Sequence, residues 1–364
     1  MNARRTGFRF GFLPAFILVA VVAYVLIYLP TPYVIYKPGS AEEIKPMIAV
    51  NEGELQEKGT FMLTTVSLTY SNTLQYLYAL VNPYQDIAKK SQLLREGETR
   101  QEYTERQAYV MQTSQSDAIQ AAYMKAGIPY KKVTQSVVVL ETNEGMPAEK
   151  VLQPGDRLLA VDGQSITDVN DLLGKIRAKK VGQSLQLDYE RGKEKRSSKL
   201  LLAALPPQPG VKKPAKPLPG IGIIPAELQS VEPKTGKKKV TIKAGEIGGP
   251  SAGFMFSMAI LNQLTPGDLS KGYRIAGTGT ITPDGKIGVI GGIKHKIVAA
   301  DREKADIFFA PKDLVPKKGE AFAPVLNTSE AKARAEEIDT AMKIVSVGTI
   351  DEALEYLKKL PVKK

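Results

Sequence analysis

The chain has no cysteine and a single histidine. Without cysteine there are no disulfides, no thiolate nucleophile and no cysteine-based metal site, and the redox state of the compartment leaves no mark on the sequence. One histidine excludes a multi-histidine metal centre built from this chain alone. It also closes most routes to hydrolytic chemistry. No Gly-x-x-x-x-Gly-Lys-Ser/Thr run occurs, so no phosphate loop is expected. Gly277-Thr278-Gly279 and Gly291-Gly292 do not fit a dinucleotide fingerprint, and strand and turn roles account for them. No cofactor and no metal are expected.

The 364 residues leave room for two globular domains and additional elements. Hydrophobic content of 43% and charged content of 24% are ordinary for a folded protein. A formal net charge of +12 favours anionic surfaces such as membrane, cell-wall polymer or nucleic acid, but the basic residues are spread along the chain rather than clustered. No nucleic-acid partner is therefore expected.

Residues 1–9 carry Arg4, Arg5 and Arg9, and an uncharged, mostly apolar stretch follows over 10–30. About 20 such residues cross the roughly 30 Å hydrocarbon core of a bilayer. The upstream arginines place the N-terminus in the cytoplasm and everything after Pro30 outside the cell. The stretch is longer than a signal-peptide core and exits through Leu29-Pro30-Thr31-Pro32-Tyr33 without a small-x-small site. The expectation is an uncleaved, single-pass transmembrane anchor.

Residues 31–127 alternate strand-like pieces, such as Thr60 to Leu68, with helical patterns from Leu74 to Ile87 and from Tyr103 to Ala126. Residues 128–205 read as a small β-rich module. They hold the strand Ser136 to Leu140 and the segment Leu152-Gln153-Pro154-Gly155-Asp156-Arg157-Leu158-Leu159-Ala160-Val161-Asp162-Gly163, with a short helix from Asp168 to Ile176. The proline- and lysine-rich stretch 206–219 disfavours core packing and marks a linker. Residues 220–364 alternate strand and helix, ending in a helix that opens with Thr349-Ile350-Asp351-Glu352, the pattern of a capping box. The fold class is α/β (α+β) in the C-terminal part, with the β-rich module and the N-terminal helix in addition.

Ser251 lies in Gly248-Gly249-Pro250-Ser251-Ala252-Gly253, a tight loop that feeds directly into a helix. Helix-start N–H groups lack intrahelical acceptors and, with the helix dipole, suit a developing oxyanion. A serine at a helix start is also a common N-cap. A serine nucleophile needs a base, and a lysine serves once its pKa falls from about 10.4 to near 7–8. That change corresponds to roughly 4 kcal/mol and is supplied by burial. Lys296 stands among Ile293, Ile297, Val298, Ala299 and Ala300, whereas Lys294 reads as a solvated surface charge. His295 leaves the same helix about 100° away from Lys296, so the two cannot both face Ser251.

Two resemblances follow from these runs. Leu-x-Pro-Gly-Asp-x-Leu-x-x-Val-Asp-Gly over 152–163 resembles a PDZ domain of the bacterial type. That resemblance implies peptide capture by strand addition beside Val137, Val138, Val139 and Leu140, although no glycine-rich carboxylate loop is evident there. Gly249 to Gly253, then Ile275 to Ile281, then Gly291-Gly292-Ile293-Lys294-His295-Lys296 resemble, in order, the proteolytic domain of Lon proteases. The resemblance implies Ser251 as nucleophile, Lys296 as its base, Thr278 beside the lysine to orient it, and Gly249 and Pro250 as supporting loop residues. The whole layout is similar to the membrane-anchored, PDZ-containing Lon-like proteases of Gram-positive bacteria. It implies an ATP-independent endopeptidase acting on secreted or membrane-bound polypeptides outside the cell, open to homo-oligomer formation. It also implies that 60–125 belong to the protease core, with the PDZ module inserted. A non-catalytic scaffold and a charge-driven binding protein remain as alternatives, and peptide turnover separates them.

Overall fold

The strand Thr60–Asn72 organises one of two six-stranded sheets in the computed structural model. The structure describes residues 12–53, 58–95, 97–206, 217–245, 247–317, 320 and 322–363. Arg4, Arg5 and Arg9 and most of the linker expected over 206–219 lie outside the described residues. Thr60–Asn72 is rich in β-branched and aromatic residues, which favour a pleated, packed surface. It pairs antiparallel with Pro30–Glu43 on one edge, which in turn pairs with Asp86–Lys89. Its other edge pairs in parallel with Arg274–Gly277, but only from Thr60 to Leu63. Arg274–Gly277 continues in parallel to Ile307–Pro311 and then Lys343–Val347.

Successive residues of these strands feed opposite faces, as the period of two requires. Phe61, Leu63, Ile275 and Phe309 point into a core shared with the helices Arg100–Lys125, Gly253–Leu264 and Ile350–Lys359. Met62, Ala276, Phe308 and Ala310 meet Ile293–Arg302 and Asn327–Glu337 on the other side. Every residue of Gly253–Leu264 is buried. Full burial stabilises side chains such as Phe254 or Met258 by about 1.5–3 kcal/mol each. The long helix is capped at Thr99, whose hydroxyl accepts from Glu102 N while the Glu102 carboxylate accepts from Thr99 N. One core thus draws on segments before and after the β-rich module, and the result is a mixed α+β fold.

The second sheet has the order Ile223–Pro233, Tyr130–Thr142, Arg157–Val161, Ser184–Arg191, Glu194–Leu201. Its core collects Val137, Val139, Leu158, Leu172, Leu185 and Leu187. The strand Ile223–Pro233 corrects the domain boundary read from the sequence, because it completes this sheet from beyond the linker. Ala203-Ala204 and Pro219-Gly220 pair as well, holding the linker's two ends together. A second correction concerns the peptide groove expected beside Val137 to Leu140. Val137 and Val138 pair with Leu158 and Arg157 on one side, while Val137, Val138 and Val139 pair with Glu227, Ala226 and Pro225 on the other. A strand with both edges filled has no free backbone donors for an added strand.

The transmembrane anchor expected over 10–30 is described only from residue 12 onward. The apolar stretch forms a helix over Phe12–Tyr28, 17 residues, and Pro30 already opens the strand Pro30–Glu43. No helix among the described residues is long and apolar enough to cross a membrane.

Candidate active site

The loop before Ser251 is fixed from the long helix. Gly249 has φ +85°, a left-handed conformation that favours glycine, and its N–H donates to Gln107 O at 3.1 Å. The Ser114 hydroxyl, buried at 4% exposure, donates to Pro250 O at 2.9 Å. Pro250–Ala252 then make one 3₁₀ turn before the buried helix begins at Gly253. Gly253 is needed for close approach, since a Cβ there would come within 2.3 Å of Ser114 Oγ. The Ser251 carbonyl accepts from Gly279 N at 2.8 Å and from the Thr278 hydroxyl at 2.9 Å. Ser251 is thereby held by its backbone, and its side chain caps neither the turn nor the helix.

Lys296 approaches from Ile293–Arg302, whose start is set by Gly292 at φ +70°. The side chain is 3% exposed and runs to the end of the Thr60–Asn72 strand's paired portion. Its Nζ lies 3.0 Å from Ser251 Oγ and 2.5 Å from Thr64 O. Burial alone pushes the amine down from 10.5 to about 7. A neutral amine has two hydrogens and one lone pair. Donating one hydrogen to Thr64 O leaves geometry in which the lone pair accepts from the serine hydroxyl.

Two expectations change here. Thr278 is fully buried, but its hydroxyl donates to Ser251 O, so it holds the Ser251 backbone rather than the lysine. The group that orients Lys296 is the Thr64 carbonyl, which sequence reasoning missed. A carbonyl role leaves no side-chain signature in the run Thr64-Thr65-Val66. Lys294 is exposed, and His295 is buried with Nε2 3.0 Å from Asp86 Oδ2, not at Ser251. Thr278→Val keeps the shape and deletes the donor. It should lower kcat about tenfold and stability by about 1 kcal/mol, leaving the pH midpoint of activity unmoved. Steady-state kinetics across pH check this.

The dyad opens into a cleft of about 1000 Å³, lined among others by Tyr36, Leu68, Tyr103 and Ile247. Beyond Leu63 the Thr60–Asn72 strand has no strand partner among the described residues on the side of Arg274–Gly277, and Thr64, Thr65, Val66 and Leu68 line the cleft from that strand.

A serine hydroxyl thus faces a buried lysine amine beside a mixed sheet. Residues 237–359 match the family model of the Lon protease (S16) C-terminal proteolytic domain, and residues 105–202 match that of the PDZ domain. The chain thus carries regions that match a Lon-type proteolytic domain and a PDZ domain. A Lon protease of Campylobacter concisus is 40% identical over 107 residues, 29% of this chain and 12% of that protein. One of Clostridioides difficile is 33% identical over 128 residues, 34% of this chain and 14% of that protein. The chain therefore aligns with only a small part of the length of these curated relatives. The PDZ domain of an SdrC-like protein from Listeria monocytogenes is 28% identical, covering 24% of this chain and 84% of that one, with a TM-score of 0.21.

Proposed function

We propose that this protein is a serine endopeptidase that cleaves extended polypeptide without ATP through a dyad of Ser251 and Lys296. The observation that carries the reading is the 3.0 Å approach of a buried amine, pushed to about 7, to the Ser251 hydroxyl. Ser251 Oγ adds to the scissile carbonyl as Lys296 Nζ takes its proton, and the resulting ammonium protonates the leaving amine. Water then attacks the acyl-serine, with Lys296 again accepting a proton. Backbone N–H groups of the turn at Ser251 are the oxyanion donors in this scheme. An extended substrate adds as a strand to the open edge at Thr64 to Leu68, which brings a carbonyl to the nucleophile without a preformed side-chain match.

In the same reading the PDZ domain delivers or gates substrate. The edge suited to strand addition is Ile223–Pro233, whose outer side pairs with no strand among the described residues. Lacking a phosphate loop, the enzyme acts on unstructured segments of secreted or membrane-bound peptides and small proteins. Membrane association, with the catalytic part outside the cell, is supported by Phe12–Tyr28, whose apolar side chains are largely exposed, and by the upstream arginines. Incubating the purified full chain with an unstructured peptide in nucleotide-free buffer tests the activity. Cleavage and a fluorophosphonate adduct mapped by mass spectrometry to Ser251 are expected. Absence of both defeats the reading.

A further inference from the structure

The cleft is acidic in a chain whose formal charge is +12. The fixed charges among its described lining residues are Glu42 and Asp86. Glu42 has one polar partner, the Ser40 hydroxyl at 2.7 Å, while its neighbour Glu43 is neutralised by Arg274 at 3.1 Å. The Asp86 side chain is 63% exposed, and its ion-pair contact among the described residues is His295. No Lys or Arg among the described residues pairs with Glu42 or Asp86. Arg106, beside Tyr103, is already held by Glu98 in two hydrogen bonds.

His295 provides an independent observation. It is 3% exposed, lines the cleft, and its buried Nε2 has no hydrogen-bond partner. The 3.0 Å approach to Asp86 Oδ2 lacks the alignment of a hydrogen bond. Burial, set against the Asp86 carboxylate, holds the imidazole below its ordinary pKa, so it does not neutralise Asp86 at physiological pH. The dyad amine is not the carboxylates' partner either, since burial alone accounts for its shift and no carboxylate raises it. Two negative groups thus share the cleft with the nucleophile yet stand clear of its base. Tyr36 and Tyr103 add aromatic faces to the same cleft, and burial raises both phenols, keeping them neutral. Carboxylates interleaved with aromatic rings are complementary to a Lys or Arg side chain.

We infer that Glu42 and Asp86 are specificity determinants of the proposed peptidase, selecting polypeptides with a basic residue within a few positions of the scissile bond. This rests on the dyad reading and deepens it. The test is a matched peptide set, identical except for Lys, Gln or Glu at each position flanking the cleavage site, cleaved by the full-length protein. The expected kcat/KM for the best Lys peptide exceeds that of its Gln counterpart by about tenfold, with Glu lower still. The ratio should fall to about twofold or less in Glu42→Gln/Asp86→Asn and shrink with added salt. Asp86→Lys should shift preference toward Glu at the position it reads. Equal cleavage of all peptides by wild type, or a Lys preference that persists in the double variant, overturns this inference and leaves the peptidase intact. No cleavage of any peptide overturns the peptidase itself.

Discussion

Replacing Lys296 by methionine should give a protein without peptidase activity that resists unfolding better than wild type at pH 6. The amine is displaced from 10.5 to about 7 by burial. That displacement corresponds to roughly 4–5 kcal/mol against burying the ammonium. Below pH 7 both folded and unfolded chains hold the proton, so the native state carries the full cost. Between about 7 and 10.5 the unfolded chain binds a proton that the native chain does not, and wild-type stability rises with pH. Above 10.5 the cost is gone. Methionine removes it at every pH but leaves the Thr64 carbonyl without its 2.5 Å donor, a loss of about 1–3 kcal/mol. The net gain is about 2 kcal/mol at pH 6, turning to a net loss by pH 10. Urea unfolding of both proteins at pH 6, 8 and 10 measures it, and a gain independent of pH would contradict a buried amine. Activity should fall at least a thousandfold, and wild-type kcat/KM should climb with pH through about 7 as Lys296 sheds its proton.

The same residue shows where sequence reading works and where it stops. Apolar neighbours at Ile293, Ile297 and Val298 made a buried lysine legible, because the helical period is local. Its carbonyl partner was not, for Thr64 stands 232 positions away and acts through backbone. The parallel pairing of Thr60–Leu63 with Arg274–Gly277 is non-local in the same way. The strand Ile223–Pro233 reads as part of the C-terminal region because the linker looks like a boundary, whereas Gly220-Ile221-Gly222-Ile223 returns to the sheet it interrupts. Apolar length over 10–30 could not reveal that Pro30 turns the chain into a strand. The Thr349 box is half made: Thr349 Oγ1 accepts from Glu352 N, but the Glu352 carboxylate takes Gly348 N and Lys312 instead. Residue types announced these elements; competing partners decided their details.

Ser251→Ala separates the two roles that Pro-Ser-Ala-Gly allows. Were the hydroxyl a helix cap, alanine would cost about 1 kcal/mol and spare any activity. In the structure it caps nothing, and its one recorded polar contact is Lys296 Nζ at 3.0 Å. The loop around it is secured by other groups: Gly249 N on Gln107 O, Ser114 Oγ on Pro250 O, and Thr278 and Gly279 on the Ser251 carbonyl. Alanine should therefore unfold within about 0.5 kcal/mol of wild type. Cleavage should drop to background, a loss of three or more orders of magnitude, and fluorophosphonate labelling should vanish. Removing the hydroxyl leaves the amine's hydrogen bond to Thr64 O in place, so the strand edge remains shaped to bind. The variant should thus hold substrate it cannot cut, with a peptide Kd close to the wild-type KM. A destabilised Ser251→Ala that still cleaves would return the residue to a capping role and leave Lys296 buried without a catalytic purpose.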